Sequence, residues 1–265
     1  MPSEPLSPAR PALHPDWLLP DWDLPQVQAF MTTRAGGIST GGLSSMNVGR
    51  AVQDDPQAVA HNRARVCEAI GAPAVFLHQV HGVEVLRLSP EMGVPGAITP
   101  PADAAVSRHR DVAVAIMAAD CLPVLFAAPR AVGGAHAGWR GLAAGVLERT
   151  VEALCEEAAC APADIQAWLG ACIGPEAFEV GEEVLRAFGA EPARPDPCLF
   201  AYRPNAQGEP RWRADLAELA RRRLRALGLS AISGGQWCTV SDASRFFSFR
   251  REPPSGRMVA AIRLR

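Results

Sequence analysis

The 265-residue chain contains no lysine, and all 26 of its basic residues are arginine. That absence excludes Schiff-base catalysis, attachment of pyridoxal phosphate and the phosphate loop built on a lysine amine. Any cation offered to a substrate is therefore a guanidinium, whose planar fork suits phosphate or carboxylate. Long apolar stretches are missing too. No segment has the roughly 18 uninterrupted apolar residues of a membrane span, so no membrane partner is expected. The opening stretch MPSEPLSPARPALHPDWLLPDWDLP is rich in proline, carries acids and lacks the apolar core of a secretion signal. Net charge is small, only -2, which argues against nucleic acid, because phosphate backbones select strongly basic surfaces. Histidine is scarce: the six in the chain include no H-x-H pair, which excludes a centre of several histidine-bound copper ions.

What is present has the balance of an ordinary soluble protein, with 48% hydrophobic and 20% charged residues. The cysteines are odd in number and scattered, which predicts a reducing, cytoplasmic setting without a disulfide framework. Cys155 and Cys160 lie in an Ala/Glu-rich helical pattern and read as small buried thiols. The length is near the upper limit for one hydrophobic core and no linker interrupts it. A single domain over residues 26–265 is expected, preceded by an irregular arm over residues 1–25 draped on the surface.

Along the chain, VQAFMTTR reads as a first strand, followed by the long Gly/Ser loop AGGISTGGLSSMNVG. DDPQAVAHNRARVCEAIG reads as a helix with Asp54 or Asp55 as N-cap, Pro56 in its first turn and Gly71 as terminator. AVFLHQVHGVEVLRL predicts strand, turn at Gly82, strand, and DVAVAIMAADCLPVLFAA predicts two buried strands with a break at Asp120 and Cys121. AVGGA is another strand, and GLAAGVLERTVEALCEEA a helix that buries Leu142, Val146, Val151 and Leu154. IQAWLGACIG predicts a strand, FEVGEEVLRAF a helix, and RADLAELARRRLRALGL a helix from Asp215 to Gly228 with Arg221, Arg222 and Arg223 solvated outside. AISGGQWCT, RFFSFRR and RMVAAIRLR read as the last strands. There are too few helices for a regular doubly wound sheet, so the expected fold is α+β, mixed β-sheets layered with α-helices.

Residues 131–145, AVGGAHAGWRGLAAG, surround one imidazole with the smallest side chains. A core histidine would pack better among larger neighbours, so this crowd of glycine and alanine points to a function for His136, against the plainer readings of a histidine held by backbone hydrogen bonds and of Cys121 as a small buried residue. With His81 in QVHG and Cys121 in ADCLP it forms a donor set suited to zinc. Three protein ligands leave one tetrahedral corner for water, whose pKa such an ion lowers to about 7. The same atoms allow a second reading, with Cys121 as nucleophile and His136 as its base. On a strand His78 would face away from His81, so the two would not share an ion. Arg34 and Arg140 lie among glycines that let a ligand approach, Arg250 and Arg251 adjoin Phe246 and Phe247, and Asn47 offers either recognition of a heterocycle or a turn.

The segments TTRAGGISTGGLSSMNVG, DDPQAVAHNR, QVHG, DCLPVLF, HAGWRGLAAGVLE, GACIGPEAFEVG, CT, FFSFRR and GR, in that order, resemble the bacterial YfiH-type family over residues 27–262. Known as the laccase-domain or polyphenol oxidase family, its members are described as purine nucleoside phosphorylases. One departure is Ala171 in GACIGP, where many relatives have a second proline. The resemblance implies a YfiH-like fold of the cysteine-hydrolase type and zinc on His81, Cys121 and His136. It implies phosphorolysis of adenosine, inosine, guanosine and methylthioadenosine, with adenosine deamination as a companion. Purine nucleoside and phosphate are then the partners; from residue type alone, Arg34 or Arg140 is the candidate phosphate contact and Asn47 the candidate purine contact. Copper at such a site would be adventitious, since it binds these ligands more tightly than zinc. The rival activities are peptidoglycan editing, in which L-serine is removed from a UDP-linked muropeptide precursor, a laccase-like polyphenol oxidase, and a non-enzymatic zinc protein that binds a partner.

Overall fold

The computed structural model describes residues 13–94 and 96–265. Two sheets lie face to face in the centre. The smaller has the order β1-β13-β5-β2, from β1 (Val27–Met31), β2 (Ala74–Phe76), β5 (Ala113–Ala118) and β13 (Met258–Leu264). The larger has the order β12-β8-β6-β7-β4-β3, from β3 (Val85–Arg87), β4 (Ala104–Ser107), β6 (Leu122–Ala127), β7 (Val132–Ala137), β8 (Gln166–Leu169) and β12 (Ala231–Gly234). A three-stranded ribbon, β10-β11-β9, is made of β9 (Glu179–Val180), β10 (Phe200–Tyr202) and β11 (Trp212–Ala214).

Both central sheets are covered on both faces, which is why β5, β6 and β7 are continuous apolar runs rather than alternating ones. Val114, Ile116 and Ile262 of the smaller sheet pack on Leu125, Val132 and Trp168 of the larger. A Cβ on Gly134 of β7 would lie 2.8 Å from Ile116 Cγ1, so the two sheets approach this closely only over glycine. The outer face of the smaller sheet is sealed by α1 (Pro56–Ile70), which buries Val66 and Ile70 against Phe30, Ala115 and Ala261. The outer face of the larger sheet takes α2 (Trp139–Ala144), α3 (Val146–Ala158), α4 (Glu182–Ala187) and α5 (Leu216–Ala226), through residues such as Leu142, Leu154, Leu185 and Leu219. This layering is the mixed α+β architecture expected from the sequence.

Asp55 caps α1 by accepting from Gln57 N at 3.0 Å, and Gly71 closes it in the left-handed region. The strand break at Asp120 and Cys121 also stands, between β5 and β6. Several elements differ from their expectation. Strands form on both sides of Gly82, but not with each other: β2 pairs with β5 in one sheet and β3 with β4 in the other, so residues 77–84 cross between the sheets. The helix expected after Gly141 begins at Trp139 and is broken at Gly145, whose φ is 101°. FEVGEEVLRAF divides into β9 and α4, AISGGQWCT is a strand only as far as Gly234, and RFFSFRR runs irregularly between two turns and buries Phe246 and Phe247. Of the arm expected over residues 1–25, residues 1–12 lie outside the described residues. The rest is irregular but anchored rather than draped, with Trp17 stacked on Phe30 at 4.9 Å and Leu18 bridged to Met31. Arg223 is not simply solvated: it joins α5 to Glu148 of α3 at 2.6 Å and to the Ala143 carbonyl at 3.1 Å.

Candidate metal centre

The chain passes between the two central sheets at 77–84 and again at 119–121, and these passages carry His81 and Cys121 to the end of β7, where His136 sits. In the β6–β7 ladder Leu122 faces Ala137 and Pro123 faces His136, so Cys121 enters β6 beside the exit of β7. One donor atom from each of His81, Cys121 and His136 lies within 4.8 Å of the others. Cys121 Sγ is 3.7 Å from His81 Nε2, and the two imidazole rings are 4.9 Å apart, edge to face. His136 is buried, Cys121 half-buried and His81 exposed, so the cluster is open on the His81 side.

Backbone strain concentrates here. His81 has φ of 62° and Asp120 of 89°, both unusual for residues with a side chain. Asp103, fully buried, holds the His81 turn by accepting from the N–H groups of Val80 (3.0 Å), His81 (2.9 Å) and Gly82 (2.7 Å). Its Oδ1 also lies 2.8 Å from His136 Nδ1, which leaves Nε2 of that ring for the cluster. Asp120 is held by the Thr239 hydroxyl at 2.5 Å and by Arg250 N–H at 2.7 Å. The small residues around His136 have a steric reason: a Cβ on Gly138 would lie 2.9 Å from both Cys121 Sγ and His81 Cδ2.

The charges of the cluster are coupled. Burial alone would push the Cys121 thiol up, but the charge and hydrogen bond of His136, joined by those of His81, outweigh it and pull it down to about 6. Burial would likewise lower His136, yet Cys121 and Asp103 raise it to about 9. Burial also works against the Asp103 carboxylate, and the hydrogen bonds from His136, Gly82 and Val80 hold it below the usual carboxylate range. Without a metal, the site therefore favours a thiolate beside an imidazolium.

The other residues singled out in the sequence fare unevenly. His78 is outside a regular strand, bridged to Pro101, and takes no part in the cluster. Arg34 is absorbed by the protein: Nε donates to Ser44 O at 3.0 Å, Nη1 to Ala243 O at 2.9 Å, and the group sits over Phe247. Asn47 is fully buried, donating to Asp54 at 2.7 Å and to Gly49 O at 3.3 Å while accepting from Gly49 N and Arg257 N, each at 2.9 Å. Its amide is engaged by the loop residues Gly49 and Asp54 and by Arg257 N, the arrangement of the turn reading. Arg140 is exposed on the first turn of α2, stacked 4.3 Å from the Trp139 ring. Arg250 lies over Phe178 and bonds the Glu179 carbonyl at 3.3 Å, whereas Arg251 ties together the carbonyls of Thr239, Val240 and Phe246. Asp103 was not foreseen. Its only signal is an acid set directly against the apolar run AAVS.

The model of the multi-copper polyphenol oxidoreductase laccase family matches residues 28–265. The chain belongs to this family. Among the relatives of the laccase-type family, a purine nucleoside phosphorylase of Pseudomonas aeruginosa is 46% identical over 250 residues, covering 93% of this chain and 97% of that protein. The YfiH purine nucleoside phosphorylase of Escherichia coli is 43% identical, covering 92% and 97%. Protein NMB0706 of Neisseria meningitidis, known from a crystal structure, superposes with a TM-score of 0.82 at 40% identity over 94% of this chain and 99% of that one. With six histidines in the whole chain, the copper in the family's description finds at most this one mixed N/S cluster among the described residues.

Proposed function

We propose that the chain is a zinc-dependent purine nucleoside phosphorylase acting on adenosine, inosine, guanosine and methylthioadenosine, with adenosine deamination as a companion activity. The observation that carries this reading is the convergence of two imidazoles and a lowered thiol beside an open face, in a chain whose relatives are named purine nucleoside phosphorylases. The donor set fits zinc: one sulfur, two ring nitrogens and a carboxylate on the far nitrogen of one ring. Zinc held there would supply Lewis-acid chemistry at neutral pH.

The chain's own residues do the positioning. Asp103 keeps a proton on His136 Nδ1 and fixes the turn that presents His81. The Cys121 thiolate forms readily because the surrounding imidazoles favour it. Arg140, four residues beyond His136, is exposed and stacked on Trp139, which leaves its cation accessible to an anionic co-substrate. The lack of lysine leaves guanidinium groups to bind an anionic co-substrate.

One observation favours a second reading. The paired shifts of Cys121 and His136 are those of a nucleophile and its base, so a metal-free hydrolase working through the thiol is the alternative. Purified protein with a measured metal content, incubated with adenosine with and without phosphate and separately with the UDP-linked serine precursor, separates these activities. Phosphate-dependent release of adenine by protein containing one zinc supports the phosphorylase. Activity that survives removal of the metal and is abolished by alkylation of Cys121 supports the thiol, and release of serine supports peptidoglycan editing.

A further inference from the structure

Three arginines, Arg50, Arg63 and Arg257, meet the loop around Val48 without a paired carboxylate, and Arg257 adjoins the cluster. β13 pairs with β5 so that Met258 faces Ala118. One step further along this ladder, Arg257 reaches the end of β5 next to Asp120 and Cys121, and both groups act on its charge. Its backbone is fixed by the Gly/Ser loop, with Arg257 N donating to Asn47 Oδ1 at 2.9 Å and Val48 N donating to Arg257 O at 3.1 Å. Its stem lies against Gly49, where a Cβ would come within 2.7 Å of Arg257 Cγ.

Arg63 reaches the same loop from α1, donating through Nε to Val48 O at 2.8 Å and through Nη2 to Met117 Sδ at 3.6 Å. Gln79, two residues before His81, grips the backbone of Met117 by two hydrogen bonds of 2.8 Å. Arg63 and the passage that carries His81 thus meet the same residue of β5, Met117. Arg50 adds an exposed guanidinium at the end of the loop.

Among the described residues, none of Arg50, Arg63 and Arg257 has a carboxylate within the 4.0 Å of an ion pair, whereas Arg34, Arg213 and Arg223 each have one. Arg257 gives Nη1 to the carbonyls of Ser255 and Gly256, at 2.6 and 3.2 Å, and keeps Nε and Nη2 free of hydrogen bonds among the described residues. The Ser255 hydroxyl beside it is buried without a partner. Half-buried guanidinium groups without a paired carboxylate are costly: burial lowers Arg257 against the pull of Cys121 and Asp120 and, with Arg50, pushes Arg63 down to about 10. An oxyanion would relieve that cost, and guanidinium forks match its geometry.

We propose that Arg257 and Arg63, with Arg50 at the rim, form the oxyanion subsite that takes inorganic phosphate for attack on a nucleoside held at the His81–Cys121–His136 cluster. This assignment rests on the phosphorylase reading and moves the phosphate contact away from Arg34 and Arg140. In the step it serves, a phosphate oxygen forms a bond to ribose C1′ while the bond from C1′ to the purine nitrogen breaks. The purine nitrogen keeps the electron pair and ends with the proton that the phosphate brought, giving ribose 1-phosphate and free base.

The test uses the metal-loaded full chain and its Arg257→Met and Arg63→Met variants, which keep the packed stems and remove the charge. Inorganic phosphate is titrated calorimetrically, and phosphate KM is measured separately in phosphorolysis. Both constants rise at least about tenfold in the two variants, nucleoside KM changes less than about twofold, and Arg257→Lys falls in between. Unchanged phosphate binding in both Met variants, no phosphate binding by the parent protein, or loss confined to Arg140→Met overturns the subsite. Phosphate binding that depends on Arg257 in a protein that cleaves no nucleoside leaves the subsite standing and refutes the phosphorylase reading.

Discussion

Asp103 and His136 form a buried carboxylate–imidazole pair, 2.8 Å from Oδ1 to Nδ1, and the same carboxylate ties down the turn that presents His81. One acid thus orients two of the three donors. Its replacement therefore discriminates between a positioning role and mere packing.

Asp103→Asn removes the charge and replaces one of the two accepting oxygens by an NH2 donor that faces N–H groups it cannot satisfy. Metal affinity is expected to fall about 10- to 100-fold, the usual effect of losing a partner that orients a ligand, as read by competition with a chromophoric chelator. Asp103 is held below the ordinary carboxylate value, so it contributes stability that is complete above about pH 3.9 and is lost as pH falls through its lowered value. The parent protein should lose that increment in acid melts and the Asn variant should lack it. Equal metal affinities would refute the positioning role.

Gly138→Ala places a methyl group 2.9 Å from both Cys121 Sγ and His81 Cδ2. The backbone at Gly138 has φ of -64°, which alanine adopts without strain, so the fold should survive. Metal occupancy should drop by about tenfold, with the melting temperature of the metal-free form changed little. Full occupancy in the variant would show that the donors are not packed as described.

Cys121 in the metal-stripped protein should react with iodoacetamide with a midpoint near pH 6, not in the usual thiol range. Thermal stability is a poor readout of this pair. The lowered Cys121 contributes stability that is complete above its ordinary value of 9.0 and lost as pH falls through about 6. The raised His136 contributes stability that is complete below 6.5 and lost as pH rises through about 9. The two slopes oppose each other across the interval. Alkylation reports the thiolate directly, and one equivalent of zinc should block it. A midpoint near 9 would contradict the coupling.

Asn47→Ala leaves the Asp54 carboxylate and the Arg257 N–H without their amide partner. The expected cost is about 1–3 kcal/mol of stability, with kcat/KM for adenosine and guanosine reduced in parallel. A change in the ratio between these two substrates would restore the amide as a base-recognition group.

The sequence exposed more of this site than of the fold around it. His81, Cys121 and His136 stood out because each sits among glycines or acids that no packing argument required. The break between β5 and β6 was legible because Asp120 interrupts an apolar run. Asp103 was hidden: one acid before AAVS carries no period, and its meaning depends on β4 lying beside β7, a pairing across some thirty residues. Arg257 was hidden for the same reason, since only the β13–β5 register carries it to Cys121. The strands on either side of Gly82 were legible, but alternation within two segments cannot say that they pair in different sheets. The strand expected at RFFSFRR failed because Phe246 and Phe247 are buried from irregular chain between two turns, where apolar content mimics β propensity.

X-ray absorption at the zinc edge of the purified protein tests the central claim most directly. The account predicts one ion per chain with a single sulfur neighbour at about 2.3 Å and nitrogen or oxygen neighbours at about 2.0–2.1 Å, the sulfur signal vanishing in Cys121→Ser. A shell without sulfur, or one with two or more sulfurs, would contradict it.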